Sequence, residues 1–485
     1  MNILDKYNER LKGPSRTRIL VSIGLAILVL LSFFGGFFTH MAIRGKNVQV
    51  VSEVVEIMDK VGYVYDPEID DYVKLEGDKV ARLIAGNFLD GYSKYYTKEE
   101  YEQILQENTG KYVGIGISFS ASEEVNSNQI LKVSINSPAF YAGMLKGDLI
   151  KEIRVSDKDN LSAEYTKIEN GVQLSNFLKG VEENQTIDLK IQRGETLLEP
   201  ISLKKEVYYM SYVTYQDDDE FTYFAAEQDS RINSVEDAYK TIDKLKDEQG
   251  NLIGGDSALS SKTALITLSA FEGDAGYQMG AIIKYMVENQ KENMILNLCG
   301  NGGGDMTVLT EIASYLICNR VGNDNKGNYK IVIANEKLDS KDGETDESYR
   351  TSNFSVKKNN FNDGIKKITV LADRNTASAS ECLIGAMIDY QESSNGTFSK
   401  DNLVIVGSQK SGEEQMVYRT YGKGIMQTTY RLQSGGALKL TTAKILWPKS
   451  ETCIHKAGIT PSKIENGCNT FELALQRANA ILSAS

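Results

Sequence analysis

The sequence predicts an α+β, multidomain chain: a transmembrane helix, a helical segment, a small β-rich domain and a larger α/β domain. Three observations predict it. Residues 19–43, "ILVSIGLAILVLLSFFGGFFTHMAI", contain no Asp, Glu, Lys or Arg. Residues 108–205 hold short runs of alternating apolar and polar residues, the period of half-buried strands. From 206 to 485, apolar runs alternate with helix-like stretches across glycine- and serine-rich turns, the pattern of an α/β layer. A chain of 485 residues is too long for one ordinary core, and 41% apolar with 25% charged residues is a globular composition.

The N-terminal block, 1–18, carries Lys6, Arg10, Lys12, Arg16 and Arg18. At about 1.5 Å per residue, the 19–43 run can cross a hydrocarbon core of about 30 Å. It exceeds the roughly 7–15 residues of a signal-peptide apolar region and shows no convincing small-x-small cleavage site. The positive-inside rule then places the N-terminus in the cytoplasm and everything after Arg44 outside, with the lipid bilayer as partner of 19–43. Residues 44–107 read as helical. "VQVVSEVVEIMDKV" and "KVARLIAGNFLDGYSKYY" space apolar residues three and four apart, and "TKEEYEQIL" opens on a threonine followed by acids. Such a segment can serve as a stalk or as a surface for a homo-oligomer.

In 108–205, "KYVGIGISFS", "QILKVSI", "DLIKEIRV" and "TIDLKIQR" read as strands. "NSPAFYAGMLKGDLI" reads as a helix entered through Ser137-Pro138 and left through Gly147-Asp148. In 206–485, "ALITLSAF", "NMILNLCG" and "KKITVLAD" read as strands, each followed by a turn and a helix. "IMQTTYRLQSGGALKLTTAKILWP" reads as a hairpin turned at Ser434-Gly435-Gly436. The polar stretches 321–330 and 339–360 read as surface loops.

Several function classes are disfavoured at once. A net charge of −12 offers no broad phosphate-neutralising surface, so no nucleic-acid partner is expected. The five cysteines form no CxxC pair, so no metal site is expected; Cys453 and Cys468 could bridge outside the cytoplasm. Of only two histidines, His40 ends the apolar run and His455 sits in the loop "CIHKAGI", which argues against a histidine-based hydrolase. No cofactor is expected.

The chemistry is expected at "RNTASASECLIG". Serine-rich turns ordinarily cap helices. A serine at a helix N-terminus can also be a nucleophile, because free N–H groups and the helix dipole stabilise negative charge there. A base could come from "RTYGKGIMQ", where Lys423 lies between Gly422 and Gly424. Burial disfavours the charged amine, and a neutral lysine can accept a serine proton. If a strand begins at 425, Gln427 can turn back and hydrogen-bond that amine. "NLCGNGGGD" lacks the GK[ST] ending of a phosphate loop. A glycine turn that aims N–H groups at an oxyanion fits it better.

These motifs, in this order, resemble the C-terminal processing peptidases, or tail-specific proteases. The segments that carry the resemblance are "TASASE", the later "GKG" with a glutamine, and "LNLCGNGGG" upstream. "LDGYSKYYTKEEYEQ", "GKYVGIGISF", "NSPAFYAGMLKGDLIKEI" and "HKAGITP" resemble further family segments. The resemblance implies a PDZ domain over 108–205 and a ClpP/crotonase-like serine protease domain over 206–485. It implies Ser378 as nucleophile, Lys423 as general base and Gln427 as third member, with Ser380 structural. The backbone amides of Ala379 and of Gly302 or Gly303 become the oxyanion donors. The amides of Gly114, Ile115, Gly116 and Ile117 become a nest for a peptide C-terminus. The expected protein is a bacterial, membrane-anchored, extracytoplasmic endopeptidase cutting protein substrates with free C-termini. Two alternatives stay open: a degenerate PDZ adaptor that binds tails without cutting, and a Ser-Lys hydrolase of a smaller amide. The chain departs from the family at Asn297 and Cys299, where Asp and Arg are usual. It also carries extra residues between Ser378 and Lys423, which read as a surface loop at 393–402 and 411–415.

Overall fold

The computed structural model of the chain describes residues 46–61, 64–66, 71–73, 76–121, 126–156, 164–226, 232–247, 249–318, 328–337, 349–357, 364–394, 396–409 and 415–483. The expected membrane span, 19–43, lies outside them. Among the described residues no helix is long and apolar enough to cross a membrane. The chain forms two compact units, Met1–Phe88 and Leu89–Ser485.

In the first unit, helices Lys46–Val61 and Gly77–Phe88 meet the helical expectation. Between them lies a short antiparallel pair, Val64–Asp66 with Asp71–Val73, that the helical reading of 44–107 did not include. The second unit begins earlier than expected, at Leu89. Its strand Lys94–Tyr96 joins the C-terminal hairpin strand, and helix Lys98–Glu107 is opened by a capping box of Thr97 and Glu100.

Residues 111–204 enclose a core of their own, built on Ile130, Ile150, Ile153, Leu174, Ile187, Leu189 and Ile191. The stretch read as one strand, "KYVGIGISFS", is two. Gly116 turns the chain at φ +81°, and a Cβ there would lie 2.1 Å from Ser137 Cβ, so only glycine fits. Lys111–Gly114 therefore pairs with Glu206–Tyr209, whereas Ile117–Ala121 pairs with Asn126–Val133. The helix expected from Ser137 to Gly147 is one turn, Pro138–Tyr141. Ser137 caps it, and Gly143 at φ +71° prevents its continuation. Helix Gly171–Gly180, capped by Asn170, was not anticipated.

The larger part is a sheet of eight strands among the described residues. Five are parallel: Thr263–Leu268, Asn293–Asn297, Lys367–Ala372, Leu403–Val406 and Gly467–Cys468. The strand period of two sorts their side chains. Ile266, Leu296, Val370 and Ile405 face the main core with helices Ala275–Glu288, Met306–Ala313 and Ala379–Asp389. Leu265, Ile295, Leu371 and Val404 face helix Phe471–Ser483. Both faces are covered, as a parallel sheet requires. The hairpin runs as expected, Ile425–Arg431 with Ala437–Leu446. The supposed surface loops contain strands instead: Asn328–Lys337 pairs with Tyr349–Lys357 and joins that hairpin. The buried run Ile331–Ala334 is what anchors them. Of the extra residues between Ser378 and Lys423, 393–402 is partly packed, with Phe398 buried, while 410–414 lies outside the described residues.

Candidate active site

Ser378 sits where strand Lys367–Ala372 turns into helix Ala379–Asp389. This helix is buried on all sides, so its N-terminus is fixed. Ser378 itself adopts φ 56° and ψ −117°. A non-glycine residue held there costs about 1–3 kcal/mol and persists only where its surroundings over-determine it. Ser380, by contrast, is fully buried and donates its hydroxyl to Asn301 O at 3.0 Å.

The glycine loop packs directly on this turn. A Cβ on Gly303 would lie 2.7 Å from Ser378 Cβ and 2.8 Å from Ala379 N. Asn301 shapes the loop: its Oδ1 accepts from Gly303 N at 2.9 Å and its Nδ2 donates to Leu268 O at 2.8 Å. The Gly303 amide is thus already engaged. The amides of Gly302 and Ala379 have no acceptor among the described residues, so these two are the available donors.

Lys423 arrives on the turn before strand Ile425–Arg431. A Cβ on Gly422 would meet Gly458 N at 2.8 Å and one on Gly424 would meet His455 N at 2.6 Å, so both glycines are needed for this close approach. The Lys423 amine lies 5.3 Å from the centroid of the Tyr92 ring. It makes no ion pair or hydrogen bond among the described residues. Burial, and then the Lys439 charge, hold it below the ordinary lysine pKa of 10.5, against opposing influences from Cys382, Asp90 and Glu381. Ser378, Lys423, Gln427, Gly302 and Gly303 all line one cavity of about 910 Å³.

Gln427 departs from expectation in one respect. It faces this cavity, but its Nε2 donates to Thr441 Oγ1 at 3.1 Å, and no bond to Lys423 forms. The hairpin ladder slips between Met426 and Gln427, leaving Thr442 as an extra residue, and such bulges re-aim side chains. Asn297 and Cys299 do not line the cavity. Asn297 bonds Thr267 Oγ1 and Cys299 N at the strand end, while Cys299 packs against the opposite core with its thiol pushed up by burial. Cys453 and Cys468 are both free thiols.

Three neighbours of the site escaped the sequence reading. Tyr92 comes from the 89–93 turn, tied down where Asp90 Oδ1 accepts from Tyr92 N and Ser93 N. Its hydroxyl meets Tyr421 Oη at 3.3 Å, and that bond is the main cause of a pKa raised to about 12. Glu381 and Thr420 lie beneath the site, wholly buried. The Ser378-x-x-Glu381 spacing is a capping-box signature, the one signal that could have found Glu381.

Residues 262–463 match the family described as Peptidase family S41. Over that stretch the chain is similar to the S41 peptidases. A protein of Staphylococcus aureus (strain N315) described as "Probable CtpA-like serine protease" is 26% identical over 412 residues, 83% of this chain. The match spans 64% of that relative's length. A Staphylococcus saprophyticus protein of the same description is 25% identical over 449 residues, covering 90% of this chain and 72% of its own. Among solved structures, "Photosystem II D1 C-terminal processing protease" is similar at 18% identity and a TM-score of 0.41, with 79% of each chain covered. The S41 match takes in Ser378, Lys423 and Gln427 but begins after Tyr92 and the 111–204 region.

The residues expected to hold a peptide C-terminus line a different cavity. Gly114, Ile115, Gly116 and Ile117 line about 690 Å³ together with Phe119 and Leu178. Helix Lys98–Glu107 separates the two cavities. Tyr101, Ile104 and Leu105 line the Ser378 cavity, whereas Glu99, Glu102, Gln103 and Gln106 line the other. Helical spacing puts these sets on opposite faces.

Proposed function

We propose that this chain is a serine endopeptidase that cuts protein substrates near their C-termini. Ser378 Oγ attacks the scissile carbonyl while the neutral amine of Lys423 takes the hydroxyl proton and later passes it to the leaving amine. The developing oxyanion is met by the amides of Ala379 and Gly302 at the helix N-terminus. Water then hydrolyses the acyl-enzyme with Lys423 again as base. Gln427 supports this centre by turning from Thr441 toward the amine, and Gly114–Ile117, in a PDZ-like domain over 108–205, holds the substrate's terminal carboxylate. Residues 19–43 anchor the enzyme in the cell membrane with the peptidase outside.

One observation carries the reading. A strained serine at a buried helix N-terminus and a half-buried, unpaired lysine with a depressed pKa share one cavity. An adaptor that only binds tails would have no use for either. The test is fluorophosphonate labelling beside hydrolysis of an unfolded protein. Ser378→Ala and Lys423→Ala should abolish both, because groups acting as a unit fail singly. Ser380→Ala should retain activity. Hydrolysis surviving in Ser378→Ala would refute the assignment, and a wild type that neither labels nor cuts would favour the adaptor.

A further inference from the structure

We infer that Glu381 is the positioning residue of this site, a buried carboxylate that fixes the main chains of Ser378 and Lys423 to each other. The inference rests on the proposed roles of those two residues. The single oxygen Oε2 accepts from Ser378 N at 3.0 Å and from Lys423 N at 2.9 Å. Oε1 accepts from Gly422 N at 2.8 Å and from Thr420 Oγ1 at 2.5 Å. Thr420 Oγ1 in turn accepts from Ile459 N at 2.7 Å, which ties in the 455–461 segment. Nucleophile and base lie on segments 45 residues apart in sequence, and no regular ladder joins them. Besides one backbone bond, Tyr421 N to Thr376 O at 3.0 Å, this carboxylate supplies the direct link.

A capping role alone does not explain this arrangement. A capping-box Glu reaches back to the N-cap amide, as Glu381 does to Ser378, and is ordinarily exposed at a helix end. Here the side chain is fully buried, and three of its four donors belong to the lysine turn. Burial pushes the carboxyl pKa up, while Thr420 and the three amides pull it back. Burying an acid costs free energy unless hydrogen bonds offset it, and all four donors here are aimed at it. The arrangement also couples charge to base. Facing the Lys423 amine are Lys439 on the hairpin, Cys382 and Glu381 on the nucleophile helix, and Asp90 and the Tyr92 ring on the 89–93 turn. Among these, the Glu381 charge favours protonated Lys423.

Glu381→Gln keeps the shape but turns one acceptor into a donor that faces N–H groups. Its fluorophosphonate labelling rate and kcat should fall about a hundredfold, as for a misplacement of about 1 Å, while KM stays within about threefold. With the anion gone, Lys423 loses a proton more readily, so the pH midpoint of labelling should move down. A purely structural role would lower the unfolding temperature and the active fraction without moving that midpoint. Thr420→Val, which removes one of the four donors, should give a loss of about three- to tenfold in kcat and serves if Glu381→Gln does not fold. Unchanged kcat and midpoint in a folded Glu381→Gln, or full activity in Thr420→Val, would overturn the inference. A wild type that neither labels nor hydrolyses would refute the peptidase reading instead.

Discussion

Replacing Gly303 with alanine tests the oxyanion geometry directly. Gly303 has φ +100°, where a Cβ is strained, and that Cβ would lie 2.7 Å from Ser378 Cβ and 2.8 Å from Ala379 N. Carbon contacts settle near 3.5–4.0 Å, so the loop or the Ser378 turn must yield by roughly 1 Å. Backbone strain of about 1–2 kcal/mol and overpacking of about 1–3 kcal/mol give a stability loss of about 2–5 kcal/mol. The rate should suffer more. A donor lost from an oxyanion site costs about 10²–10³ in kcat, and Ala379 N is the atom being crowded. Urea unfolding gives the first quantity; fluorophosphonate labelling of the folded fraction gives the second. Gly86→Ala is the contrast: nothing lies within 4 Å of its Cβ, and it sits inside helix Gly77–Phe88, so the protein should gain up to about 1 kcal/mol. A folded Gly303→Ala that labels within about threefold of wild type would refute the assigned donor geometry.

Lys439→Ala removes the second-largest influence lowering the Lys423 pKa, so the pH midpoint of labelling should move up, opposite to Glu381→Gln. A downward or absent shift would show that the two ammonium groups do not interact. Lys423→Met should raise the unfolding midpoint at neutral pH while abolishing activity. The folded-state pKa is depressed, so folding is penalised while the amine is charged, and the gain should fade as pH rises toward 10.5. A variant less stable than wild type at pH 7 would contradict this. Asp274 is pushed up to about 6 by burial, so its contribution to stability is full below its ordinary value of 3.8 and is lost as pH rises through about 6. Asp274→Asn should therefore be more stable than wild type above pH 6, with the difference closing toward pH 4 in thermal melts. A difference independent of pH would rule out titration of Asp274 as its cause.

Local patterns made much of the fold legible. Three of the parallel strands announce themselves as apolar runs, and Ser434-Gly435-Gly436 marks the hairpin turn. Ser378 and Lys423 were legible as candidates because each sits in a distinctive motif, and the structure brings both to one cavity. What sequence hid was non-local. Gly116 splits a strand only because Ser137 packs against it from 21 residues away. The strand Tyr349–Lys357 is too polar to announce itself and is held by pairing with Asn328–Lys337. Tyr92 and Glu381 stand out in the sequence by nothing beyond the capping-box spacing of Glu381. Their importance comes from segments that approach only in three dimensions. The Gln427 contact failed for a related reason, since a bulge slips the register that simple alternation would give.

Helix Lys98–Glu107 also acts as a spacer. One of its faces borders the Ser378 cavity and the other borders Gly114–Ile117, so a chain end docked at the latter must clear the helix before reaching the serine. A helix with its side chains is about 10–12 Å across, and an extended chain advances about 3.3–3.6 Å per residue. At least three residues or so are used in the crossing alone. Under the proposed function, the fragment freed from a docked tail would have a minimum length. Among substrates that differ only in the distance from scissile bond to terminus, those with one or two residues beyond the cut cannot occupy both cavities at once. The protein would in that sense measure its substrate from the end.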